Sequence, residues 1–151
     1  MVKNMILVSA CLLGINCKYN GDNNENDKVK KYLNDKEFIL VCPEQLGGLT
    51  TPRDPAEITK SNGNIVLNGE GSVVTNNGID VTEAFLRGAK ETLKIAKIYD
   101  CKEALLKESS PSCGSNFIYD GTFLGKKVQG FGVTSALLKS NGIKVISEKE
   151  L

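Results

Sequence analysis

Three of the five cysteines in this 151-residue sequence follow apolar runs that are typical of buried strands. Cys11 comes after residues 5–9, Cys42 after residues 38–41, and Cys113 after residues 103–106 and a Ser-Ser-Pro-Ser turn. The carboxyl ends of parallel strands lie along one edge of a sheet, and ligands bind in the crevice there. The sequence therefore predicts that these three thiols meet at one edge, although they are far apart along the chain.

Three converging thiolates favour a soft metal centre, and the spacing alone leaves several kinds open. Structural zinc sites usually have four ligands, often in Cys-x-x-Cys pairs, and the sequence contains no such pair. A [4Fe–4S] cluster with three thiolate ligands keeps one iron open to a substrate. A catalytic zinc ion is one alternative, and buried or redox-active thiols without a metal are another.

The other two cysteines are first interpreted as residues without a ligand role. Cys101 lies between a predicted helix and a predicted strand, where we expect a small apolar side chain. Cys17 follows Cys11 in a polar loop, so it is either an idle thiol or a further ligand of the same centre. An odd number of cysteines rules out complete pairing into disulfides within the chain.

Polar side chains stand next to two of the three thiols. Glu44 lies two residues after Cys42, and a carboxyl group at the edge of a partly dry pocket is suited to general acid–base chemistry. A solvated loop residue or a helix cap is the alternative for Glu44. Ser110 and Ser112 precede Cys113, and their hydroxyl groups could donate to cluster sulfur atoms or to a substrate carbonyl. A simple Ser-Pro turn is the alternative for these serines.

The proline-rich loop at residues 43–55 adds two further candidates. Arg53, one of only two arginines, lies between prolines and is a candidate for binding a substrate or an anion. An ion pair with Asp54 or Glu57, which would only stiffen the loop, is the alternative. Gly48 follows another glycine, and such a pair lets the backbone approach a bulky group closely. We therefore count Gly48, Arg53 and Ser112 as candidate substrate-binding residues.

Composition excludes several classes of function. The sequence has no histidine, which excludes imidazole as base, nucleophile or metal ligand. A net charge of +1 and an aromatic content of 6% argue against long nucleic acids and against a polybasic membrane surface. No apolar run approaches the roughly 20 residues of a membrane span. We expect a cytoplasmic protein with reduced thiols and no membrane partner.

Predicted strands and helices alternate along most of the chain. The predicted strands of the main sheet are residues 5–9, 38–41, 103–106 and 144–147, and the clearest helices are residues 80–99 and 132–141. Asp80 and Glu83 have the spacing of a capping box at the start of the longer helix. Short strands at 65–67 with 72–75, and at 118–120 with 122–124 around Gly121, predict two hairpins. This order predicts an α/β fold, a three-layer sandwich with a mainly parallel, Rossmann-like sheet and small β-hairpin insertions, in a single domain over residues 1–151.

Taken together, the motifs around these residues resemble the family of unknown function numbered 523 (DUF523), which includes the thiouracil desulfidases. The resemblance covers nearly the whole chain. The motifs are specific for the family in combination, and none of them would identify it alone. It rests on SACLLG at residues 9–14, CPE at 42–44 with GGL at 47–49, SPSCG at 110–114 and GFGVT at 130–134. Lys18 and Asn20 stand where the family often has Arg and Asp, so that loop is expected to differ.

The resemblance implies an oxygen-sensitive [4Fe–4S] cluster held by Cys11, Cys42 and Cys113. It further implies that the open iron takes the sulfur of a thiolated pyrimidine and that thiouracil is converted to uracil and sulfide without net oxidation or reduction. Carried over by motif, Glu44 transfers protons and Ser110 contacts the substrate. The alternative is a sulfide or cluster carrier, or an iron- or oxygen-sensing protein, without small-molecule turnover.

Overall fold

The structure is a computed structural model that describes residues 4–151. Residues 1–3 of the single domain expected over 1–151 lie outside this description, and that expectation stays a prediction. In chain order the elements are β1 (Met5–Ser9), a 3₁₀ helix (Ala10–Leu13), α1 (Asp27–Leu33), β2 (Glu37–Val41), α2 (Pro43–Leu46), β3 (Ala56–Thr59), α3 (Gly63–Leu67), β4 (Ser72–Thr75), α4 (Thr82–Ile98), β5 (Glu103–Leu106), β6 (Phe117–Tyr119), β7 (Lys127–Gln129), α5 (Val133–Ser140), β8 (Lys144–Ser147) and a last 3₁₀ helix (Glu148–Glu150). None of the helices within this described part is long and apolar enough to cross a membrane.

A four-stranded parallel sheet in the order β2-β1-β5-β8 forms the centre of the molecule. Ser9 at the end of β1 pairs with Val41 at the end of β2, so these two strands finish level with each other. The chain passes from β1 to β2 on one side, whereas β5 lies on the other side of β1. The connections therefore diverge at the carboxyl end of β1, and such a point opens a crevice for ligands.

Side chains on the sheet alternate between two cores, which makes the three layers. Leu7 packs on one face with Ala96 of α4 and Leu138 of α5, and Val8 packs on the other face with Val29 of α1. The two hairpins, β3–β4 and β6–β7, are antiparallel additions to this sandwich. The predicted fold class, a three-layer α/β sandwich with a mainly parallel sheet and hairpin insertions, is confirmed.

Three local predictions were wrong, because contacts that are distant in sequence decide them. Residues 65–67 are the end of helix α3, which begins where the Asn62 side chain accepts the backbone N–H groups of Asn64 and Ile65. The partner of β4 is instead β3, which begins directly after the proline-rich loop predicted at residues 43–55. In the second hairpin, β6 pairs with β7 and not with residues 122–124, since the N–H groups of Gly121 and Phe123 bind the Glu57 carboxylate.

The long helix begins two residues later than predicted and lacks the capping box. Val81 donates its backbone N–H to the Val73 carbonyl oxygen at 2.9 Å, which pairs this segment with β4. The Asp80 side chain accepts the N–H of Thr82 at 2.8 Å, and the residue that precedes the helix, Val81, makes no side-chain cap. The apolar pattern therefore predicts the helix correctly, whereas its first turn depends on the neighbouring strand.

Candidate active site

The carboxyl ends of β1, β2 and β5 open on one cavity of about 750 Å³. Cys11 lies in the 3₁₀ helix after β1, Cys42 directly follows β2, and Cys113 lies in the loop after β5. All three line the cavity, as do Glu44, Ser110 and Arg53. The structure thus brings together six of the eight residues that the sequence singled out for a site.

Cys17 is a fourth thiol of this cavity, and it contacts two of the other three. Its side chain forms hydrogen bonds with the side chains of Cys11 and Cys42. Hydrogen bonding from Cys17 lowers the pKa of Cys42 to about 7, although burial acts in the opposite direction. The same thiol lowers the pKa of Cys11. In turn, these two neighbours strongly raise the pKa of Cys17, so Cys17 stays protonated and acts as the donor.

Cys113 has a different environment, which involves a residue that sequence reasoning missed. Burial strongly raises the pKa of the Cys113 thiol, and a hydrogen bond from the Ser9 side chain opposes this effect. The Ser9 hydroxyl oxygen in turn accepts the Lys107 backbone N–H at 3.0 Å. Ser9 therefore connects the end of β1 to the third thiol. The sequence feature that could have identified Ser9 is its position as a polar residue at the end of a buried strand.

The loop that carries Cys113 is clamped to the start of helix α5. Backbone N–H groups of Val133 and Thr134 donate to the carbonyl oxygens of Pro111 and Ser112 at 2.8 and 2.9 Å. The Ser135 hydroxyl donates to the Cys113 carbonyl oxygen at 2.7 Å. This arrangement explains why the GFGVT motif accompanies SPSCG: the first turn of α5 holds the cysteine loop in place.

The two candidate serines of this loop have different surroundings. The Ser110 hydroxyl oxygen accepts the backbone N–H groups of Ser112 and Cys113, both at 3.1 Å. Because both bonds use oxygen lone pairs, the Ser110 hydrogen can still be donated into the cavity. The Ser112 hydroxyl is buried, lies 2.8 Å from the Thr134 hydroxyl oxygen and does not line the cavity.

Glu44 and Arg53 form a nearly buried ion pair at the cavity wall. One terminal nitrogen of Arg53, Nη2, binds Oε2 of Glu44 and the Cys17 carbonyl oxygen, the latter at 2.9 Å. The other, Nη1, donates to the Thr51 hydroxyl at 2.9 Å. Neither ion pair considered from the sequence is the one formed, because the Arg53 side chain turns to Glu44 and not to Asp54 or Glu57. The guanidinium thereby orients the carboxylate and ties three loop segments together.

Gly47 and Gly88 allow close packing of backbone on backbone between the Glu44 segment and helix α4. A Cβ atom at Gly47 would lie 2.0 Å from the Ala84 carbonyl oxygen, and one at Gly88 would lie 2.0 Å from the Pro43 carbonyl oxygen. Only glycine permits helix α4 to approach the Glu44 segment this closely. Gly48 has a φ of 94° and does not line the cavity, so the structure does not bring this candidate together with the others.

Two charged residues that sequence reasoning did not select, Lys107 and Glu108, line the cavity directly after β5. The Glu108 carboxylate accepts the backbone N–H groups of Ser115, Asn116 and Phe117 at 3.0 to 3.1 Å. Burial by itself would raise the pKa of Glu108, but these bonds and one from the Asn116 side chain together lower it to about 2. The Lys107 ammonium group lies 3.3 Å from the Glu148 carboxylate and also lines the cavity.

The donor set of the cavity, three cysteine thiols, fits an iron–sulfur cluster. Among residues 4–151, no three potential ligands converge closely enough to hold one metal ion. Three thiols spread around one cavity suit a cluster, in which each thiolate binds a separate iron atom. Thiolates are also the ligands that iron–sulfur clusters prefer.

Comparison with known proteins identifies the family. The sequence matches the 2-thiouracil desulfurase family over residues 6–150. The chain belongs to this family. Among its relatives, the uncharacterized protein YbbK of Bacillus subtilis strain 168 is 54% identical over 147 residues, which are 97% of this chain and 97% of that protein.

A solved structure supports the same assignment. The [4Fe–4S]-dependent thiouracil desulfidase TudS superposes with a TM-score of 0.85 at 42% identity, and the match covers 99% of this chain and 93% of that chain. The resemblance to DUF523 noted from the motifs, and the fold class predicted from the order of strands and helices, are thereby confirmed. The 2-thiouracil desulfurase family member described here shares its architecture with TudS over nearly its whole length.

Proposed function

We propose that this chain is an iron–sulfur-dependent enzyme that removes sulfur from a thiolated pyrimidine, converting thiouracil to uracil and sulfide. The observation that carries the proposal is the joint opening of Cys11, Cys42, Cys113 and Glu44 on one cavity at the ends of three neighbouring strands. The printed name of its structural neighbour, a [4Fe–4S]-dependent thiouracil desulfidase, supports the same reaction. A cytoplasmic location is part of the proposal, because ligating thiols must stay reduced.

The proposed reaction balances without an oxidant or a reductant. The oxygen atom of one water molecule forms a bond to the ring carbon, the carbon–sulfur bond breaks, and the two protons of that water leave with sulfur as hydrogen sulfide. A cluster bound by Cys11, Cys42 and Cys113 would supply an iron atom that acts as a Lewis acid toward the substrate sulfur.

Glu44 is the proposed proton-transfer residue. Because Arg53 holds Oε2, the other carboxylate oxygen can take a proton from the attacking water and return it to the ring or to the leaving sulfur. Ser110 is proposed to donate its hydroxyl hydrogen to the substrate. Ser112, Arg53 and Gly48 are proposed to act through their neighbours: Ser112 holds the cysteine loop, Arg53 orients Glu44, and Gly48 shapes the turn after Glu44.

The decisive experiment is anaerobic reconstitution with iron and sulfide, followed by incubation with 2-thiouracil and 4-thiouracil. We expect a brown protein that releases uracil and sulfide in equal amounts, measured by chromatography and by a colorimetric sulfide assay. Glu44→Gln should lower turnover by about 10²- to 10⁴-fold, the usual loss for a general acid–base residue. Glu70→Gln, which neutralises an exposed carboxylate, is the matched control.

The outcomes separate the proposal from its alternatives. If cluster-loaded protein releases neither product, thiouracil is the wrong substrate. Transfer of sulfide or of the cluster to an acceptor protein, without turnover, would identify a carrier instead. A colourless protein after anaerobic preparation would indicate thiol chemistry without a metal. Full turnover in Glu44→Gln would show that Glu44 does not transfer the proton.

A further inference from the structure

Cys17 is a thiol that the proposed function leaves unused, although it lines the same cavity as the proposed cluster ligands. It is only 3% exposed and packs in the same core cluster as Cys11. Cys11, Cys17 and Cys42 belong to one packed cluster and line one cavity, and the Cys17 side chain interacts with both of the others, which are two of the three proposed cluster ligands. An idle loop thiol would not be expected to have two thiol partners.

The backbone around Cys17 is held in place by contacts on both sides. The Cys17 carbonyl oxygen accepts a hydrogen bond from Arg53 at 2.9 Å, and the Cys42 sulfur lies 3.8 Å from the same oxygen. Arg53 also donates its backbone N–H to the Tyr19 carbonyl oxygen at 2.7 Å. These hydrogen bonds of the chain itself keep Cys17 beside Cys42.

The remaining cysteines are placed differently. The Cys113 side chain receives its hydrogen bond from Ser9 and not from a thiol. Cys101 packs in the core on the opposite face of the sheet, with Leu7 and Ala96, and it does not line the cavity. Contact between thiols is therefore centred on Cys17.

We propose that Cys17 is an oxidation site that forms a disulfide with Cys42 or Cys11 when the cavity holds no cluster. Cys42 is the more open of the two partners, since it is half-buried whereas Cys11 is buried. With hydrogen peroxide as the oxidant, the Cys42 sulfur would take one oxygen atom to become a sulfenic acid, and one water would leave. The Cys17 sulfur then attacks that sulfur, a second water leaves, and the S–S bond forms.

This disulfide would close the site reversibly. It occupies one proposed ligand, so a cluster could not be rebuilt until a thiol reductant opened the bond. It would also keep the half-buried Cys42 from reaching the irreversible sulfinic and sulfonic states. Only the identity of the cluster ligands is taken from the proposed function; the thiol chemistry itself needs neither cluster nor substrate.

The test uses the full chain, reduced and freed of metal under nitrogen, then treated with hydrogen peroxide and alkylated. Peptide mapping by mass spectrometry of the wild-type protein should show one disulfide that contains Cys17. Cys17→Ser should show no disulfide and should instead accumulate sulfinic acid at Cys42. Cys101→Ser, which removes a thiol that does not line the cavity, should behave like the wild-type protein.

A second measurement follows the recovery of the site. After the oxidised proteins are reduced with dithiothreitol, the wild-type protein should regain its full capacity to bind iron and sulfide, and Cys17→Ser should retain roughly a third or less. Circular dichroism verifies the fold of each variant, and Cys17→Ala serves as a second variant.

Two results would overturn the inference. One is a wild-type disulfide between Cys11 and Cys42, and the other is recovery of Cys17→Ser equal to that of the wild-type protein. If the metal-free protein forms the Cys17 disulfide but the reduced, reconstituted protein does not turn over thiouracil, only the proposed function fails, so the two failures are distinguishable.

Discussion

At the scale of single residues, the site depends on pairs in which one side chain orients another. Arg53 binds Oε2 of Glu44, and Ser9 donates to Cys113. Neither Arg53 nor Ser9 needs to touch a substrate for its loss to matter, because a small displacement of a reacting group is costly. The roles of orienting residues are therefore best tested by coupling them to the residue that they hold.

Arg53→Lys should lower kcat by about tenfold with little change in KM, because lysine cannot reproduce the planar fork that reaches Glu44, Thr51 and Cys17 together. In a Glu44→Gln background, Arg53→Lys should lower kcat by a much smaller factor, because Arg53 then has no carboxylate to orient. Steady-state kinetics of the two single variants and the double variant measure this coupling. Equal losses in both backgrounds would show that Arg53 acts independently of Glu44.

At the scale of elements, the loop after β5 is a folded unit with its own carboxylate centre. The Glu108 carboxylate accepts hydrogen bonds from the backbone N–H groups of residues 115–117. The first turn of α5 donates hydrogen bonds to the carbonyl groups of residues 111–113. Cys113 and Ser110 lie between these two anchors. Their positions thus depend on hydrogen bonds made by the backbone on both sides.

Glu108→Gln should destabilise the fold by about 1–3 kcal/mol at pH 7, because an ionised acceptor of several N–H groups is replaced by a neutral one. The folded-state pKa of about 2 lies below the ordinary value of 4.5. The stabilisation is therefore fully present above pH 4.5 and is lost as the pH falls toward 2. Urea unfolding at pH 7 and pH 3 should show the gap between wild type and variant shrinking at the lower pH.

The matched control for this prediction is Glu91→Gln, which removes an exposed carboxylate paired with Lys94 on α4. It should change stability by less than about 0.5 kcal/mol at either pH. A gap between wild type and Glu108→Gln that stays constant from pH 7 to pH 3 would contradict the assigned role of the Glu108 charge.

At the scale of the whole molecule, helix α4 connects the central sheet to the cavity wall. Its Ala96 packs against β1 in the core, and its Gly88 lies against the Pro43 backbone. The Glu44 segment is therefore supported by the same helix that covers one face of the sheet. Packing of the outer layer and placement of the candidate acid are parts of one arrangement.

Gly88→Ala should destabilise the protein by about 1–3 kcal/mol, because the new methyl group would overlap the Pro43 carbonyl oxygen. In a helix without this contact, the same change would raise the free energy of unfolding by about 1 kcal/mol. The sign of the change in stability therefore shows whether Gly88 packs against Pro43. Lys90→Ala, on the exposed side of α4, is the control and should be nearly neutral. A Gly88→Ala variant more stable than the wild type in urea would disprove the close approach.

Much of this architecture could be predicted from the sequence. Apolar runs predict β1, β5 and β8 because a strand covered on both faces needs apolar side chains throughout. The common edge of a parallel sheet predicts that Cys11, Cys42 and Cys113 lie near one another. Residues 65–67 were mistaken for a strand because three apolar residues fit a helix turn equally well, and the cap at Asn62 decided between the two.

The amino-acid sequence, by itself, determined that cysteines follow three of the strands. It also determined which segments are amphipathic and which family motifs the chain carries. Tertiary structure alone decided that Arg53 binds Glu44 and not its neighbour Asp54, that Cys17 contacts two thiols, and that Ser9 donates to Cys113. The physical reason is that hydrophobic periodicity and secondary-structure propensity depend on residues that are close along the chain. A hydrogen bond between distant residues depends on where the whole chain has already placed their backbones.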